Sequence, residues 1–168
     1  MARINDFVAA LSDGGARANQ FKVVFKGPPP GVNFGQEMEF LCKATSIPAL
    51  TIGEIPVLYR GRQLFVSGDR TYEPWEITII SDRSQVIRGA FEKWQDHLGG
   101  IGGFTNRTTI GESPSSYYAD AEVVQMDRNN QELRTYKLYD VWPTTVAAIE
   151  LSFDTSDAII EFGVTLRF

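Results

Sequence analysis

The chain has 168 residues, of which 43% are hydrophobic and 22% are charged, and its formal net charge is −5. This length and balance are typical of one globular domain and argue against an intrinsically disordered chain. The 16 basic residues are scattered among 21 acidic ones, whereas tight binding to nucleic acid needs clustered Lys and Arg that neutralise phosphates. The composition therefore disfavours a nucleic-acid-binding protein, although it allows nucleic acid to pass without being held.

Cysteine usage and apolar runs indicate where the protein folds. Cys42 is the single cysteine, so an internal disulfide is impossible and the fold does not depend on an oxidising compartment. No stretch approaches 18 apolar residues, which predicts no membrane insertion, and the first residues lack the apolar run of a signal peptide. We therefore expect the protein to fold in a bacterial-type cytosol.

Residues 1–15 are predicted to form a short amphipathic helix, because apolar residues recur there at helical spacing. They are Ile4, Phe7, Val8 and Leu11. Two interpretations are open: the helix packs on its own domain, or it is an arm that reaches a neighbouring molecule.

Alternation of apolar and polar residues then predicts two strands. The first covers residues 21–26 and ends at residues 28–30, three prolines that lack the N–H a strand donates. The second covers residues 37–43, and its apolar face consists of Met38, Phe40 and Cys42. This position of Cys42 predicts a buried structural thiol rather than a nucleophile.

Residues 44–56 are predicted to form a loop that is unusually apolar and is stiffened by prolines. Loops that face solvent are usually polar, so this one packs either against its own domain or against another subunit. A hairpin follows, with its turn at Arg60-Gly61. Gly68-Asp69-Arg70-Thr71 then separates the hairpin from a strand at residues 75–80.

A long helix is predicted over residues 82–98. Asp82 and Gln85 have the spacing of a capping box, and apolar residues, Trp94 among them, line one face. The Gly-, Ser- and Thr-rich residues 99–119 are predicted to be a flexible surface excursion.

Residues 120–168 are predicted to form strands again. A hairpin around residues 128–131 joins strands at 121–126 and 133–142, Pro143 ends the second of these, and a final hairpin pairs 149–153 with 159–168. The antiparallel hairpins predict a mainly β fold in which two packed antiparallel sheets form a sandwich or barrel with one flanking α-helix. We expect residues 1–168 to form a single domain.

Candidate catalytic groups are few. His97, the only histidine, lies in the last turn of the predicted long helix, where the helix dipole favours a cation. With one His and one Cys, a zinc site or a Ser-His-Asp site lacks partners. The glycines of residues 99–103 follow a helix rather than joining a strand to a helix, so they do not have the context of a phosphate loop. The sequence therefore predicts no enzyme, no metal and no cofactor.

Four segments together resemble one protein family. They are Cys42-Lys43-Ala44-Thr45-Ser46-Ile47-Pro48-Ala49, Gly68-Asp69-Arg70-Thr71-Tyr72 with Trp75 behind it, Val141-Trp142-Pro143-Thr144-Thr145-Val146 and Phe162-Gly163-Val164-Thr165-Leu166. Their order and spacing resemble the tail tube subunits of contractile-tailed phages of the T-even type. The resemblance extends from about residue 4 to the end, and the sequence departs from the family only at the proline loop of residues 28–30 and around residues 99–119.

The resemblance implies a structural protein of the virion tail. Six copies would form a ring in which one sheet of each copy joins a continuous inner barrel, and stacked rings would form a tube. The implied partners are other copies of this chain, the tail sheath protein, a baseplate or tube initiator, a tail terminator, and the tape measure protein and double-stranded DNA in the lumen. The alternative is the tube of a tailocin, a type VI secretion system or another contractile injection system. An enzyme or a ligand-binding β-barrel is the rival from another class.

The resemblance also suggests residues for each surface. Candidates for ring stacking or inter-subunit contact are Ile47, Pro48, Leu50, Ile52, Ile55, Gly68, Asp69 and Arg70. Candidates for the lumen are Glu37, Glu39, Glu122, Arg134 and Glu150, because an acidic lumen would repel phosphates. Trp75, Trp94, Trp142 and Pro143 are expected to be structural. Two alternatives are open: an internal salt bridge between Asp69 and Arg70, and an inter-subunit contact at Trp142-Pro143.

Overall fold

The computed structural model describes residues 3–10, 17–99, 116–154 and 158–168. In chain order they form helix α1 (Ile4–Ala10), strand β1 (Phe21–Lys26), helix α2 (Glu37–Leu41), strands β2 (Cys42–Thr45), β3 (Leu50–Tyr59), β4 (Arg62–Tyr72) and β5 (Trp75–Ile80), helix α3 (Val86–Gly99), and strands β6 (Ala119–Met126), β7 (Glu132–Val146) and β8 (Glu161–Arg167). The predicted fold class, mainly β with two antiparallel sheets and a flanking helix, is confirmed. The glycines of residues 100–103, most of the excursion at 99–119 and the turn at 155–157 lie outside the described residues.

The larger sheet has the strand order β1-β6-β7-β8-β5-β2, and every neighbouring pair is antiparallel. Its long strand β7 pairs with β6 up to Val141 and with β8 from Trp142 onward. We call β1, β6 and residues 132–141 the three-strand half, and residues 142–146, β8, β5 and β2 the four-strand half. A strand that passes from one layer to the other at a bend is a common corner of β-sandwiches.

One hydrophobic core lies between the two halves, and α3 closes it. The ring centroids of Phe25 in β1 and Trp75 in β5 are 5.9 Å apart, so the two halves meet across the core. Helix α3 contributes residues at helical spacing, and they are Ile87, Ala90, Phe91 and Trp94. Trp75 and Trp94 are fully buried, and each indole N–H donates a hydrogen bond, to Thr45 Oγ1 at 2.9 Å and to the Tyr117 carbonyl at 2.7 Å.

The strand predicted at residues 37–43 is wrong in its first part, because Glu37–Leu41 forms α2 and only Cys42 onward is strand. Of this helix Met38 is buried, whereas Phe40 is 81% exposed. Five residues are too few to distinguish the two-residue period of a strand from the 3.6-residue period of a helix. Packing against β1 therefore decides which of the two forms. Cys42 is buried as expected, and this burial raises the pKa of its thiol to about 12.

The loop predicted at residues 44–56 is mostly strand. β3 begins at Leu50 and pairs with β4, which also includes the predicted link at Gly68 to Thr71. Pro56 does not interrupt β3, because β3 pairs on one side only and a missing donor is tolerated at such an edge. Residues 46–49 alone lack regular structure between β2 and β3.

Pro143 does not end its strand, and the predicted final hairpin does not form. β7 continues through Pro143 to Val146 at an edge of the four-strand half, with a register shift between Pro143 and Thr145. β8 is paired by β5 on one side and by β7 on the other. No edge of β8 is left for residues 149–153, which are not a strand.

The long helix starts later than predicted. α3 begins at Val86, and Gln85 has a positive φ of 51°, which stops the helix from extending backwards. The Asp82 carboxylate instead accepts hydrogen bonds from the backbone N–H and the hydroxyl of Ser84. These bonds lower the pKa of Asp82, so they order a turn before the helix with a charged carboxylate.

Candidate assembly surfaces

The hairpin formed by β3 and β4 protrudes from the body, and we call it the arm (Leu50–Tyr72). Each of its residues is exposed except Gly68, which is partly buried, and none belongs to the hydrophobic core. Its turn places Arg60 at φ 47° and Gly61 at φ 78°, the two positive values that a tight two-residue hairpin turn requires. An exposed hairpin with strands of 10 and 11 residues has little reason to be stable in isolation.

The outer arm, residues 54–67, carries exposed apolar residues on both faces, with Pro56, Leu58 and Phe65 on one face and an unbroken apolar set on the other. Residues opposite each other on paired strands point to the same side, and the register pairs Ile55 with Val66 and Val57 with Leu64. These four side chains are 44–63% exposed, and we call them the apolar face of the arm. A contiguous exposed apolar face on a soluble protein marks an interaction surface.

Gly68 serves the internal geometry of the arm. A Cβ atom at this position would lie 3.0 Å from the Gly53 carbonyl oxygen and 3.2 Å from Ile55 Cγ1. The register shifts at the same place, between Ile52 and Glu54, which identifies a β-bulge. Two strands that approach this closely require glycine, so the bulge sets the direction of the outer arm.

The charged residues of the arm are open to solvent. Asp69 and Arg70 do not form the internal salt bridge of the alternative interpretation, since no ion pair within 4.0 Å joins them in the described part of the chain. At the tip, Arg60 places its guanidinium 5.3 Å from the centroid of the Tyr59 ring, and Arg62 stands opposite Tyr59. The tip therefore presents two cations.

The structure brings the ring-stacking candidates together. Leu50, Ile52, Ile55, Gly68, Asp69 and Arg70 all lie on the arm, and Ile47 and Pro48 lie in the connection at its base. The pattern along the chain predicts a hairpin that turns at Arg60-Gly61, but it does not indicate that this hairpin leaves the core. For that reason Val57, Leu64 and Val66 were not among the candidates, although they complete the apolar face.

The four-strand half ends in two unpaired strand edges. In the part of the chain that the structure describes, β2 pairs only with β5, and residues 142–146 of β7 pair only with β8. The larger sheet is therefore open, and its outermost strands present unpaired N–H and C=O groups. Such edges are templates for a strand from another chain.

The outer face of the three-strand half has mixed charge. Glu122 on β6 lies 2.7 Å from Lys26 Nζ and 3.8 Å from Lys137 Nζ. The Lys26 ammonium lowers the pKa of Glu122, so this carboxylate stays charged. Lys22 and Glu132 form a further ion pair at 3.2 Å. The pairing makes this a charge-balanced surface rather than an acidic one.

The other lumen candidates do not share one surface with Glu122. Glu39 borders the same face from α2, and Glu37 is exposed on that helix. Arg134 points to the opposite side of β7 from Lys137, the residue that faces Glu122, and its guanidinium lies 4.9 Å from the Tyr136 ring centroid. Glu150 lies in the segment after β7. Their assignment to the lumen stays a prediction.

The two remaining structural candidates differ in burial. Pro143 is fully buried and Trp142 is half-buried beside the core.

His97 Nε2 lies 2.9 Å from the Pro30 carbonyl oxygen, which ties the end of α3 to the proline loop. Across the described residues, no group of three or more His, Cys, Asp or Glu is arranged to hold a metal ion. None of the described helices is long and apolar enough to cross a membrane.

Comparison with known proteins identifies the family. Residues 16–168 match the family described as phage tail tube protein. The chain is 33% identical over 165 residues to tail tube protein gp19 of Enterobacteria phage T4, covering 97% of this chain and 95% of that protein. It is 29% identical over 172 residues to the tail tube protein of Serratia phage KSP90, covering 100% and 95%.

A solved structure has the same fold. It is a chain of the sheath–tube complex of the extracellular contractile injection system PVC in its extended state. It superposes with a TM-score of 0.59 at 12% identity, covering 94% of this chain and 90% of that one. The family match and both relatives cover nearly the whole chain, so the assignment does not depend on a local similarity. The chain belongs to the phage tail tube protein family.

Proposed function

We propose that six copies of this tail tube subunit close into a ring, that rings stack through the arm, and that the resulting tube conducts the phage genome. The observation that carries the proposal is the long arm with its exposed apolar face, which has no role in a solitary molecule. In this proposal the subunit has no catalytic activity. It is synthesised in the host cytoplasm and works in the virion tail.

The strand count of the four-strand half fits a ring with an open channel. Six copies of four strands give 24 strands, which at about 4.8 Å spacing form a circumference of roughly 115 Å and a backbone diameter of about 37 Å. Duplex DNA, with a major groove about 8.5 Å deep, has a radius of roughly 10 Å and passes through such a channel. The unpaired edges at β2 and at the end of β7 supply the junctions between neighbouring copies.

The face of the four-strand half that points away from the core would line the channel, and we call it the channel face. Strand alternation places on it Glu76, Thr78, Ile80, Glu161, Gly163, Thr165 and Arg167, opposite the buried residues of β5 and β8. Glu161 is paired with Lys43 at 2.6 Å. These residues include two carboxylates and one arginine, so the wall has no excess of cations and offers phosphates few contacts.

The remaining partners follow from a tube inside a tail. The outside of the rings would meet a sheath protein, and the sheath–tube origin of the structural neighbour supports this partner. The two ends would meet a baseplate initiator and a tail terminator, and the lumen would hold a tape measure protein before DNA. The tube of a tailocin or another injection system is the second candidate, since that neighbour belongs to an injection machine. Capsid, portal and terminase genes beside this gene would identify the phage.

Negative-stain electron microscopy of the concentrated protein tests the proposal, with a purified tube initiator added as a nucleus. We expect rings or tubes with a central hole of roughly 20–35 Å, since side chains narrow the backbone diameter of about 37 Å. A solitary globule that forms no ring even on the initiator would contradict it.

A further inference from the structure

The arm is joined to the body by two short connections, and each of them contains a proline. Residues 46–49 lead from β2 into the arm and include Pro48, and Glu73-Pro74 leads from the arm into β5. The Glu73 N–H donates a hydrogen bond of 3.2 Å to the Ala49 carbonyl, which closes the chain across the two connections. Prolines stiffen both connections, but the angle of so long a hairpin also depends on contacts between its first residues and the body.

One aromatic contact joins the arm to the body. The ring centroids of Tyr72, the last residue of β4, and Phe168, which follows β8, are 5.3 Å apart, with an interplanar angle of 55°. Separations of about 4.5–7 Å are those of favourable aromatic pairs. Each of the other ring pairs in the described part of the chain lies within the body. Tyr72 is 42% exposed, whereas Phe168 is partly buried against the core, so the body holds the Phe168 ring and this ring supports the arm.

Phe168 reaches the arm because it continues the inward row of β8. Leu166 is fully buried, and side chains alternate along a strand, so Phe168 lies on the same side of the sheet as Leu166. Leu166 pairs with Trp75, the first residue of β5. Phe168, two residues further along an antiparallel strand, therefore lies beside the connection Glu73-Pro74, where the chain returns from the arm.

We infer that Phe168 is a positioning residue for ring stacking: its ring, held by the four-strand half, packs on Tyr72 and fixes the angle at which the arm leaves the body. The inference rests on the proposed stacking of rings and adds how one copy keeps its arm in place before a partner arrives. A surface that already has its bound orientation avoids the entropy cost of ordering during association.

The length of the arm makes its angle important. β3 has 10 residues, which at about 3.3 Å each give a lever of roughly 30 Å. A rotation of about 10° where the arm meets the body then moves the tip by about 5 Å, as much as the distance of about 4.8 Å between neighbouring strands. An arm that rotates freely over this range does not present its apolar face at a constant position.

Spin labelling of the whole chain tests the inference without requiring rings. Gln63→Cys on the arm and Asp96→Cys on α3 are exposed sites for nitroxide labels. Cys42 is buried and the pKa of its thiol is about 12, so it should take little label. Double electron–electron resonance should give one narrow distance distribution with Phe168 and a broad one with Phe168→Ala. Phe168→Tyr keeps the ring and should keep the narrow distribution.

Two further variants separate this contact from a general loss of packing. Leu41→Ala truncates another partly buried residue beside the core and should leave the distribution narrow. Tyr72→Ala removes the partner ring at an exposed position, so the fold should persist, and it should broaden the distribution as Phe168→Ala does. The double variant should be no broader than either single one, because both changes remove the same contact. Narrow distributions in both single variants, or broadening that adds up in the double variant, would overturn the inference.

Elongation on the tube initiator tests the consequence for stacking. Phe168→Ala and Tyr72→Ala should form rings that elongate about two- to tenfold more slowly, as expected for the loss of one aromatic pair, and Phe168→Tyr should elongate at the normal rate. A normal rate for Phe168→Ala would contradict the role of Phe168 in stacking. If the unaltered protein forms no rings at all, the proposed function fails, while the distance distributions still decide whether Phe168 holds the arm.

Discussion

At the scale of single residues, the charged side chains fall into two groups: those that form ion pairs within the molecule and those that form none. Glu122 contacts two lysines within its own sheet, whereas Arg60 and Arg62 at the arm tip form no ion pair in the described part of the chain. An exposed ion pair contributes little to stability, but the direction of its pH dependence is well defined.

Glu122→Gln should remove a pH-dependent part of the stability. The pKa of Glu122 is lowered in the folded protein, chiefly by the hydrogen bond from Lys26. A lowered folded pKa contributes stability that is present above the ordinary carboxyl pKa of about 4.3 and is lost as pH falls through the folded value. Urea unfolding should therefore show that the unaltered protein exceeds the variant in free energy of unfolding by more at pH 7 than at pH 3. An equal difference at both values would exclude this ion pair as the cause.

At the scale of elements, the core and the arm use similar apolar residues for different purposes. β5 and β8 alternate buried and open residues because they cover the core, and Phe91 of α3 packs against Phe34 and Trp94. The arm shows an equally apolar pattern but buries nothing in its own molecule.

Phe91→Ala should destabilise the fold, whereas Val57→Ala should not. Phe91 is fully buried, with its ring 4.7 Å from that of Phe34, and removal of such a ring costs about 3–5 kcal/mol through lost burial and a cavity. Val57 is 44% exposed on the arm, so its truncation should change the free energy of unfolding by less than about 0.5 kcal/mol. Chemical denaturation measures both changes in the free energy of unfolding. Comparable losses for the two variants would show that Val57 packs as part of the core.

Gly68→Ala should impair elongation and leave the body stable. The added methyl group meets the Gly53 backbone at 3.0 Å, so the bulge must open and the outer arm must turn. Ser67→Ala, at the neighbouring exposed position, is the control and should elongate normally. Tube length by microscopy, together with the thermal midpoint, distinguishes the two effects. Tubes of normal length from Gly68→Ala would show that the bulge does not direct the arm.

At the scale of the whole molecule, the four-strand half and the arm act in perpendicular directions in the proposed assembly. Strand edges join copies around the ring, and arms join rings along the axis. A tube wall then needs a channel face that phosphates do not bind, since many weak contacts in series would stop a moving duplex.

Glu76→Lys should slow genome ejection from assembled particles. Glu76 is exposed on the channel face and forms no ion pair in the described part of the chain, so the change places a ring of cations against DNA. Asp96→Lys, on the exposed side of α3, makes the same charge change outside the channel and should eject normally. Ejection kinetics in vitro measure both variants, and the slowing should weaken as salt is raised. Equal ejection kinetics for Glu76→Lys and the unaltered particles would show that β5 does not line the channel.

The sequence by itself determined the fold class, most strands and the family. Alternation located the strands at residues 21–26, 75–80, 121–126 and 159–168, because a half-buried strand must place every second side chain inward. Four short segments in register then indicated the tail tube family, which the comparisons confirm. These features are local, so a pattern along the chain is enough to reveal them.

Only the tertiary structure decided which apolar pattern belongs to the core and which belongs to an interface. Leu50–Pro56 and Val57–Val66 are as apolar as the core strands, yet they leave the body as an arm, while residues 149–153 lose their place in the sheet because β8 is already paired on both sides. Periodicity shows that a face must be covered, but not whether the cover comes from the same molecule. That choice depends on which strand edges are free once the sheet has formed, and this is a property of the whole fold.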